Sequence, residues 1–458
     1  MPKPMSDIPG PEPINNLFKV LATFRAFNHD ALGVIDQQKQ QYGDVVSLEI
    51  LGEKQLLIAN PELFREILVT KAKSFHKGSD YKDTRKGLAR FLGNGLIVSD
   101  GEFWQKQRKS IQPAFHAKRI EDYAATMGIF AEEMVQKWQN DTILNIAHEM
   151  TQVTLRIVAR TIFNTDIQQN ADNIATTMEA INETAGQNTV LPAWVPTPQE
   201  LQARKAIRDM DAYVYDLIAT RRRNFYDTGD LLSMLLLAQD DEGNHMSDKE
   251  VRDEAVGLFL AGHETTANAL NWTLWLLAQN PQAEAYLHDE LDQVLDGRTP
   301  TVQDLRDLPY TTQVIKESMR WMPPVSGVGR RAVEDVQIGD YLIEAGTSIL
   351  LNFYSVHRDP RYWEDPLAFR PERFAPDAET DRDRYAYLPF GGGARICVGN
   401  SFAMMEAQIL LATIAQHAQL SLQAGQEVLP VSRITTYPKN GLPMHVRRRE
   451  PRLVLEQL

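Results

Sequence analysis

This chain of 458 residues has a single cysteine and no apolar run long enough to cross a membrane. The lone Cys397 excludes an internal disulfide and fits a reducing compartment. Residues 1–16 carry five prolines and form a proline-rich lead, so we expect neither a secretory signal nor a membrane anchor. We therefore expect a cytoplasmic protein. A net charge of −13 argues against a nucleic-acid partner.

The remaining composition is that of a globular protein, with 43% hydrophobic residues to build a core. We find no internal repeat, low-complexity segment or long linker, which predicts a single large domain over 1–458. Helical periodicity dominates from Gly101 to about Ala238, with a break at Leu191–Pro198 where three prolines occur. The fold class predicted is mainly α with small β-sheets.

Individual elements are predicted from periodicity, turns and caps. Ser247 and Glu250 form a capping box that opens a long helix, which we expect to run to Asn280 and to end at Pro281. Other helices are predicted at His29–Gln41, from Pro61, at Leu308–Trp321 and at Asn400–Leu420. Strands are predicted at Val45–Ile50, Gln55–Ala59, Val336–Ile338 and Ser348–Phe353.

The surroundings of Cys397 are unusual for a structural cysteine. An isolated cysteine is most often a small buried hydrophobic residue. Here it follows the glycine-rich run Phe390-Gly391-Gly392-Gly393-Ala394-Arg395 and precedes Gly399, directly before a predicted helix. Glycines permit close backbone approach, and the positive end of a helix stabilises a thiolate. The loop therefore favours a metal ligand.

The pattern Phe390-x-x-Gly393-x-Arg395-x-Cys397-x-Gly399 closely resembles the haem-ligand loop of the cytochrome P-450 family. The resemblance implies the cytochrome P-450 fold, haem b (iron protoporphyrin IX) as cofactor, and the Cys397 thiolate as the fifth ligand of iron. It covers nearly the whole chain, because further motifs follow in the family's order. No N-terminal membrane helix and no flavin or iron–sulfur domain are expected.

Ala261-Gly262-His263-Glu264-Thr265-Thr266 lies near the centre of the long helix. Glycine within a helix often only permits a close neighbour, and the residues alone leave that interpretation open. The segment also resembles the family's oxygen-activation motif. That resemblance implies room for haem and dioxygen beside Ala261 and Gly262, and proton delivery by Glu264 and Thr265 as catalytic residues.

Two further groups are assigned roles by the resemblance. Glu317 and Arg320 lie three residues apart on a helix and by themselves predict only a surface ion pair. The family's Glu-x-x-Arg pair implies a buried structural network with Arg373. The residues expected to bind the haem carboxylates are Trp104, Arg108, Arg330, Arg395 and Lys77, and the loop residues Phe390, Gly391 and Gly399 are expected to line the cofactor.

The implied function is a monooxygenase that inserts one atom of dioxygen into a hydrophobic substrate, either fatty-acid-like or terpenoid. Electrons are expected from a separate ferredoxin or flavodoxin with its reductase. A basic cluster of Lys106, Lys109, Lys118 and Arg119 fits an acidic donor, although a solvated helix face has the same composition. The expected substrate pocket is formed by Leu88, Phe91, Ala261, Val325, Val328 and Ile434.

Two alternatives remain open. A peroxide-driven haem enzyme of the same fold would not need Glu264 and Thr265. A non-catalytic haem sensor would have no use for a proton relay.

Overall fold

Helices form most of the structure, which is a computed structural model that describes residues 2–84, 87–167, 171–185, 195–223, 229–239, 243–378 and 382–449. The helices in this part of the chain are α1 Leu17–Tyr42, α2 Pro61–Arg65, α3 Ser79–Lys82, α4 Ala89–Leu92, α5 Gly101–Ile111, α6 Ala117–Gln136, α7 Ile146–Phe163, α8 Ala171–Ala185, α9 Pro198–Arg223, α10 Leu231–Leu237, α11 Asp248–Leu277, α12 Pro281–Leu295, α13 Pro309–Trp321, α14 Phe353–Val356 and α15 Asn400–His417.

Small sheets accompany the helices, as the sequence predicts. The strands are β1 Lys3–Pro4, β2 Val45–Ile50, β3 Glu53–Ile58, β4 Phe75–His76, β5 Thr142–Asn145, β6 Gly327–Ala332, β7 Val336–Ile338, β8 Tyr341–Ile343, β9 Ser348–Asn352, β10 Ala418–Leu422, β11 Pro430–Ser432, β12 Thr436–Pro438 and β13 Pro443–Arg448. The largest sheet has the order β2-β3-β9-β6-β4, while β11 and β12 form a separate antiparallel hairpin.

Helix α11 crosses the main hydrophobic core and determines where the site lies. Its capping box is present, since the Ser247 hydroxyl accepts the Glu250 N–H and the Glu250 carboxylate accepts the Ser247 N–H. Helix α7 packs along it, and α13 and α15 also contact it. Most residues of α11 are buried, so neighbouring elements surround the helix along most of its length.

Three predicted boundaries differ from the structure by three residues or more. Helix α1 begins at Leu17 rather than His29, because Asn16 caps it and a kink at Asp30 divides it in two. Helix α11 ends at Leu277, and Pro281 starts α12 instead of ending α11. Helix α15 ends at His417, because the following residues pair with β13. The predicted break at Leu191–Pro198 lies mostly outside the described residues.

No helix among the described residues is long and apolar enough to cross a membrane.

Candidate active site

Cys397 faces a cavity between α11 and α15. The wall on the α11 side contains Leu258, Ala261, Gly262, Thr265, Thr266 and Ala269, and the opposite wall contains Phe390, Gly391, Arg395, Cys397, Val398, Gly399, Phe402 and Ala403. Although Cys397 is enclosed by protein, its side chain retains accessible surface because it points into this space. The structure therefore brings the predicted ligand loop and the predicted oxygen-side helix to opposite sides of one slot.

The cysteine loop is shaped by its glycines. Gly391 and Gly393 have φ angles of 69° and 67°, a region that residues with a Cβ rarely adopt. A Cβ on Gly393 would lie 2.0 Å from the Leu68 carbonyl oxygen, so this position cannot carry a side chain without moving the backbone. The Cys397 N–H donates to the Phe390 carbonyl at 3.0 Å, which closes the loop before α15 begins. The turn fixes the direction of the thiol.

The electrostatic environment of the thiol contains opposing contributions. Burial raises the pKa of Cys397, while the Gly399 N–H and the nearby Arg108 guanidinium lower it in part. The hydrogen bond from Gly399 at the start of the helix lowers the pKa of Cys397, as expected, but burial raises this pKa by more. Arg108 also donates to the Ile396 carbonyl at 2.7 Å and so braces the residue that precedes the cysteine.

Positive side chains gather at one edge of the cavity. Lys77, Arg330 and Arg395 line it, and Lys77, Arg108 and Arg395 also line an adjoining cavity with Trp104 and Cys397. The Arg395 guanidinium lies 4.4 Å from the centre of the Trp104 ring and pairs with Asp100 at 2.5 Å. Burial lowers the pKa of Arg395, and the charge of Arg330 lowers it further. Several cationic side chains at one edge of the cavity fit a ligand that carries two carboxylates.

Gly262 has a packing role that the sequence left open. A Cβ at this position would lie 2.9 Å from Cγ2 of Val158 on α7, so glycine allows the two helices to approach. The same backbone also forms part of the cavity wall. The glycine is therefore required by helix packing whether or not it also makes room for a ligand.

The two predicted catalytic side chains point in different directions. Thr265 lines the cavity, and its hydroxyl donates to the Ala261 carbonyl at 2.7 Å. Glu264 turns toward α8 and the β11–β12 hairpin, where Thr435 donates to its Oε1 atom at 2.7 Å and Asn182 donates to the same atom. Burial raises the pKa of Glu264 to about 8. At neutral pH this carboxyl group holds a proton.

Behind the cysteine loop, Glu317 and Arg320 form a buried pair rather than the surface pair that their spacing alone predicts. Arg320 donates from Nε and Nη2 to the two Glu317 oxygens at 2.7 and 2.8 Å, and both side chains are fully buried. Arg373 donates to Glu317 at 3.3 Å. Arg320 also holds the His357 carbonyl, while the His357 ring accepts the Leu388 N–H two residues before Phe390. This network braces the start of the cysteine loop.

The predicted pocket residues separate into two groups. Val325 and Val328 line the cavity together with Ala261. Phe91 is buried in the main core, and Leu88 and Ile434 pack against that core instead of lining the cavity. Sequence spacing alone does not determine which face of a short helix or hairpin is turned to the cavity.

Sequence reasoning missed Glu406, Asn182 and Thr435. Glu406 lies on α15 and is fully buried, and neither carboxyl oxygen has a hydrogen-bond partner within the described part of the chain. Burial raises its pKa well above the ordinary value. The sequence feature that could have revealed Glu406 is the presence of an acidic residue within the apolar stretch from Ala403 to Ala415. Asn182 and Thr435 gave no such signal, because each acquires its partners only through tertiary contacts.

Comparison with known proteins identifies this architecture. The family model for Cytochrome P450 matches residues 8–442. The chain belongs to the cytochrome P450 family. It is 37% identical to cyclooctatin synthase of Streptomyces melanosporofaciens over 85% of both chains. It is 32% identical to pentalenene oxygenase of Streptomyces avermitilis, over 90% of this chain and 91% of the relative.

Solved structures agree with the family assignment. The haem domain of cytochrome P450DA superimposes with a TM-score of 0.85 at 26% identity, covering 98% of this chain and 99% of that one. The protein is therefore a cytochrome P450 monooxygenase with haem iron as its cofactor. The glycine-shaped cysteine loop, the apolar slot and the cationic edge fit this flat, dianionic group.

Proposed function

We propose that this P450 oxidises a hydrophobic terpenoid, with the Cys397 thiolate as the iron ligand and electrons supplied by a separate protein. The observation that carries the proposal is the arrangement of Cys397 and Thr265 on opposite walls of one largely apolar cavity. When bound, haem supplies activation of dioxygen by electron donation from the thiolate. The protein supplies the ligand, a proton source and the position of the substrate.

Arg108, Arg330, Arg395, Lys77 and Trp104 are proposed to hold the two haem carboxylates. Four cations and an indole N–H offer enough donors for two carboxylates, and charge-assisted hydrogen bonds are the strongest available for the purpose. Asp100, which pairs with Arg395 and with Lys82 at 2.6 Å, would keep the Arg395 guanidinium oriented. Phe390, Gly391 and Gly399 would lie against the ring on the cysteine side.

Glu264 and Thr265 are proposed to provide protons. Glu264 holds its proton at neutral pH inside the protein, and Thr265 presents a hydroxyl at the cavity wall. The Thr265 hydrogen is directed to the Ala261 carbonyl, so the hydroxyl oxygen can accept a hydrogen bond from a group in the cavity. Because Glu264 faces away from the cavity that Thr265 lines, transfer from its carboxyl group to the Thr265 side of the slot requires the Glu264 side chain to turn.

A terpenoid is favoured over a fatty acid by the relatives. Their names include pentalenene oxygenase and cyclooctat-9-en-7-ol 5-monooxygenase, the latter 35% identical over 83% of both chains. The side chains proposed to contact the substrate, Ile162, Leu258, Ala261, Val325 and Val328, are uncharged. An apolar pocket of this kind gains affinity from the area that it buries.

The electron donor is proposed to dock on the outer side of α5. A surface hollow formed by Trp104, Arg108, Lys109 and His116 lies there, and Arg108 connects it to the residue before Cys397. Lys106 and Lys109 are exposed on this helix. Arg119 instead donates to the Gly229 carbonyl, and the side chain of Lys118 lies outside the described residues. The exposed charges proposed to contact an acidic donor are Lys106 and Lys109.

Substrate binding and turnover test the proposal. A panel of cyclic terpenoids and fatty acids should be titrated into the ferric protein, and displacement of the iron-bound water should be followed by absorbance. We expect terpenoids to produce the change and fatty acids to fail. Turnover with dioxygen and a ferredoxin system should then give a product with one added oxygen. Turnover with hydrogen peroxide but not with dioxygen, a ferredoxin and its reductase would contradict the proposal and favour a peroxygenase.

A further inference from the structure

Helix α8, the β11–β12 hairpin and α11 meet at Glu264. Asn182, on the last turn of α8, is 2% exposed. Its Oδ1 atom accepts the N–H groups of Ile434 and Thr435 at 3.1 and 3.4 Å. Because backbone N–H groups are always donors, these two contacts fix which end of the amide is oxygen. The Asn182 Nδ2 atom must therefore be the donor that faces Glu264.

The hydroxyl of Thr435 has its hydrogen directed toward Glu264 for a similar reason. Its oxygen accepts hydrogen bonds from Nδ2 of Asn182 and from Nδ2 of Asn268, both at 3.2 Å. A hydroxyl has two acceptor positions and one hydrogen, so these contacts use both acceptor positions. The remaining hydrogen is donated to Oε1 of Glu264 at 2.7 Å.

Consequently the two oxygens of Glu264 differ. Oε1 accepts from Asn182 and Thr435, whereas Oε2 is buried and has no partner within the described part of the chain. A protonated carboxyl group keeps its hydrogen on the oxygen that is not already accepting two donors. The proton of Glu264 therefore belongs on Oε2.

Other charged groups face Glu264 from α8 and the hairpin. Glu179 and Glu183 on α8 both raise its pKa. Glu183 is itself bound to the hairpin, since the Tyr437 hydroxyl donates to it and Arg433 lies 3.5 Å away. Arg433, the cation on the hairpin, is therefore engaged with Glu183. Among the described residues, the hydrogen-bond donors to the Glu264 carboxyl group are the neutral side chains of Asn182 and Thr435.

We propose that Asn182 and Thr435 are positioning residues that hold Glu264 through Oε1 and leave its proton on Oε2 for transfer. This inference rests on the proposed role of Glu264 as a proton source. Helix α8 carries Asn182, and the β11–β12 hairpin carries Thr435. Both elements must therefore be packed in place for the Glu264 carboxyl group to have one defined orientation. Neither residue contacts the reacting atoms.

The primary test is the protonation of Glu264 in the ferric, haem-loaded protein without turnover. The infrared band of its protonated carboxyl group is identified by its loss in Glu264→Gln and is then titrated with pH. Asn182→Ala and Thr435→Val each remove a donor that favours the carboxylate, so the midpoint should rise by about 1 to 2 pH units. Thr435→Ser should restore it, and Tyr437→Phe should leave it unchanged.

A second readout is the amount of product formed per pair of electrons consumed. We expect Asn182→Ala and Thr435→Val to lower this ratio several-fold, as Glu264→Gln should. If Asn182→Ala fails to fold, Asn182→Asp keeps the shape of the side chain, and it should raise the midpoint further because it adds a like charge.

The outcomes separate the two proposals. If Glu264→Gln leaves the product ratio unchanged, the proton-source function is refuted. If Glu264→Gln lowers the ratio while the Asn182 and Thr435 variants change neither the ratio nor the midpoint, the positioning inference is refuted.

Discussion

Glu317 and Glu264 are both buried carboxyl groups, but among the described residues Glu317 has arginine partners and Glu264 has neutral ones. Arg320 donates two hydrogen bonds to Glu317, and Arg373 and the Arg370 N–H add two more. In the part of the chain that the structure describes, Glu264 receives hydrogen bonds from the neutral side chains of Asn182 and Thr435. Charge-assisted hydrogen bonds hold Glu317 in place behind the cysteine loop, whereas burial raises the pKa of Glu264. Glutamate therefore stabilises the structure at position 317 and holds a proton at position 264.

The largest effect is expected from breaking the compensated pair. Glu317→Gln keeps the shape but leaves Arg320 buried without its counter-charge, which should lower the free energy of unfolding by about 3 to 5 kcal/mol. Because Arg320 also holds the segment that precedes the cysteine loop, haem content should fall as well. Denaturant unfolding and haem absorbance measure the two effects.

A surface ion pair provides the control for that variant. Arg306 lies 3.5 Å from Asp307 and is 83% exposed, so Arg306→Ala should change stability by less than about 0.5 kcal/mol. If Glu317→Gln behaves like this control, the network has no structural role.

Glu264→Gln should preserve the charge of its site, whereas Glu317→Gln removes a charge, because glutamine mimics the protonated acid. The ordinary pKa of this group is 4.5, and in the folded protein it is about 8. Between these two pH values the unfolded chain has lost the proton while the folded protein keeps it. The free energy of unfolding of the native protein should therefore fall, relative to that of the variant, by about 1.4 kcal/mol for each pH unit across that interval. Unfolding of both proteins at several pH values measures the difference. Parallel curves would mean that Glu264 is ionised normally.

The smallest effect on stability is expected from exposed charges. Lys109→Glu lies on the proposed docking surface and should slow reduction by an acidic donor several-fold at low salt, with the difference lost at high salt. Stability should change by less than about 0.5 kcal/mol. Lys205→Glu on α9, which lies outside this surface, is the matched control. Equal reduction rates in the two variants would refute docking at α5.

The comparison between the two carboxyl groups also explains what sequence can predict. The cysteine loop and the Ser247–Glu250 cap are local patterns, in which the chemistry of neighbouring residues determines the structure, and both are found as expected. The spacing of Glu317 and Arg320 predicts their pairing but not their burial. That burial depends on packing against residues such as His357, distant in sequence.

The environment of Glu264 could not be predicted in the same way. Asn182 lies 82 residues before it and Thr435 lies 171 residues after it. An asparagine near the end of a helix and a threonine in a hairpin are ordinary surface residues by pattern. Leu88 and Phe91 show the same limit, because the orientation of a four-residue helix is set by its neighbours. Tertiary contacts, rather than local propensity, decide these positions.

Thiolate ligation by Cys397 is the central claim, and the absorbance of the reduced protein with carbon monoxide tests it most directly. The wild-type protein should give the red-shifted band typical of thiolate-bound haem. Cys397→His should keep haem bound but lose that band together with monooxygenation. An unchanged band in Cys397→His, or its absence from the correctly folded wild-type protein, would contradict the account.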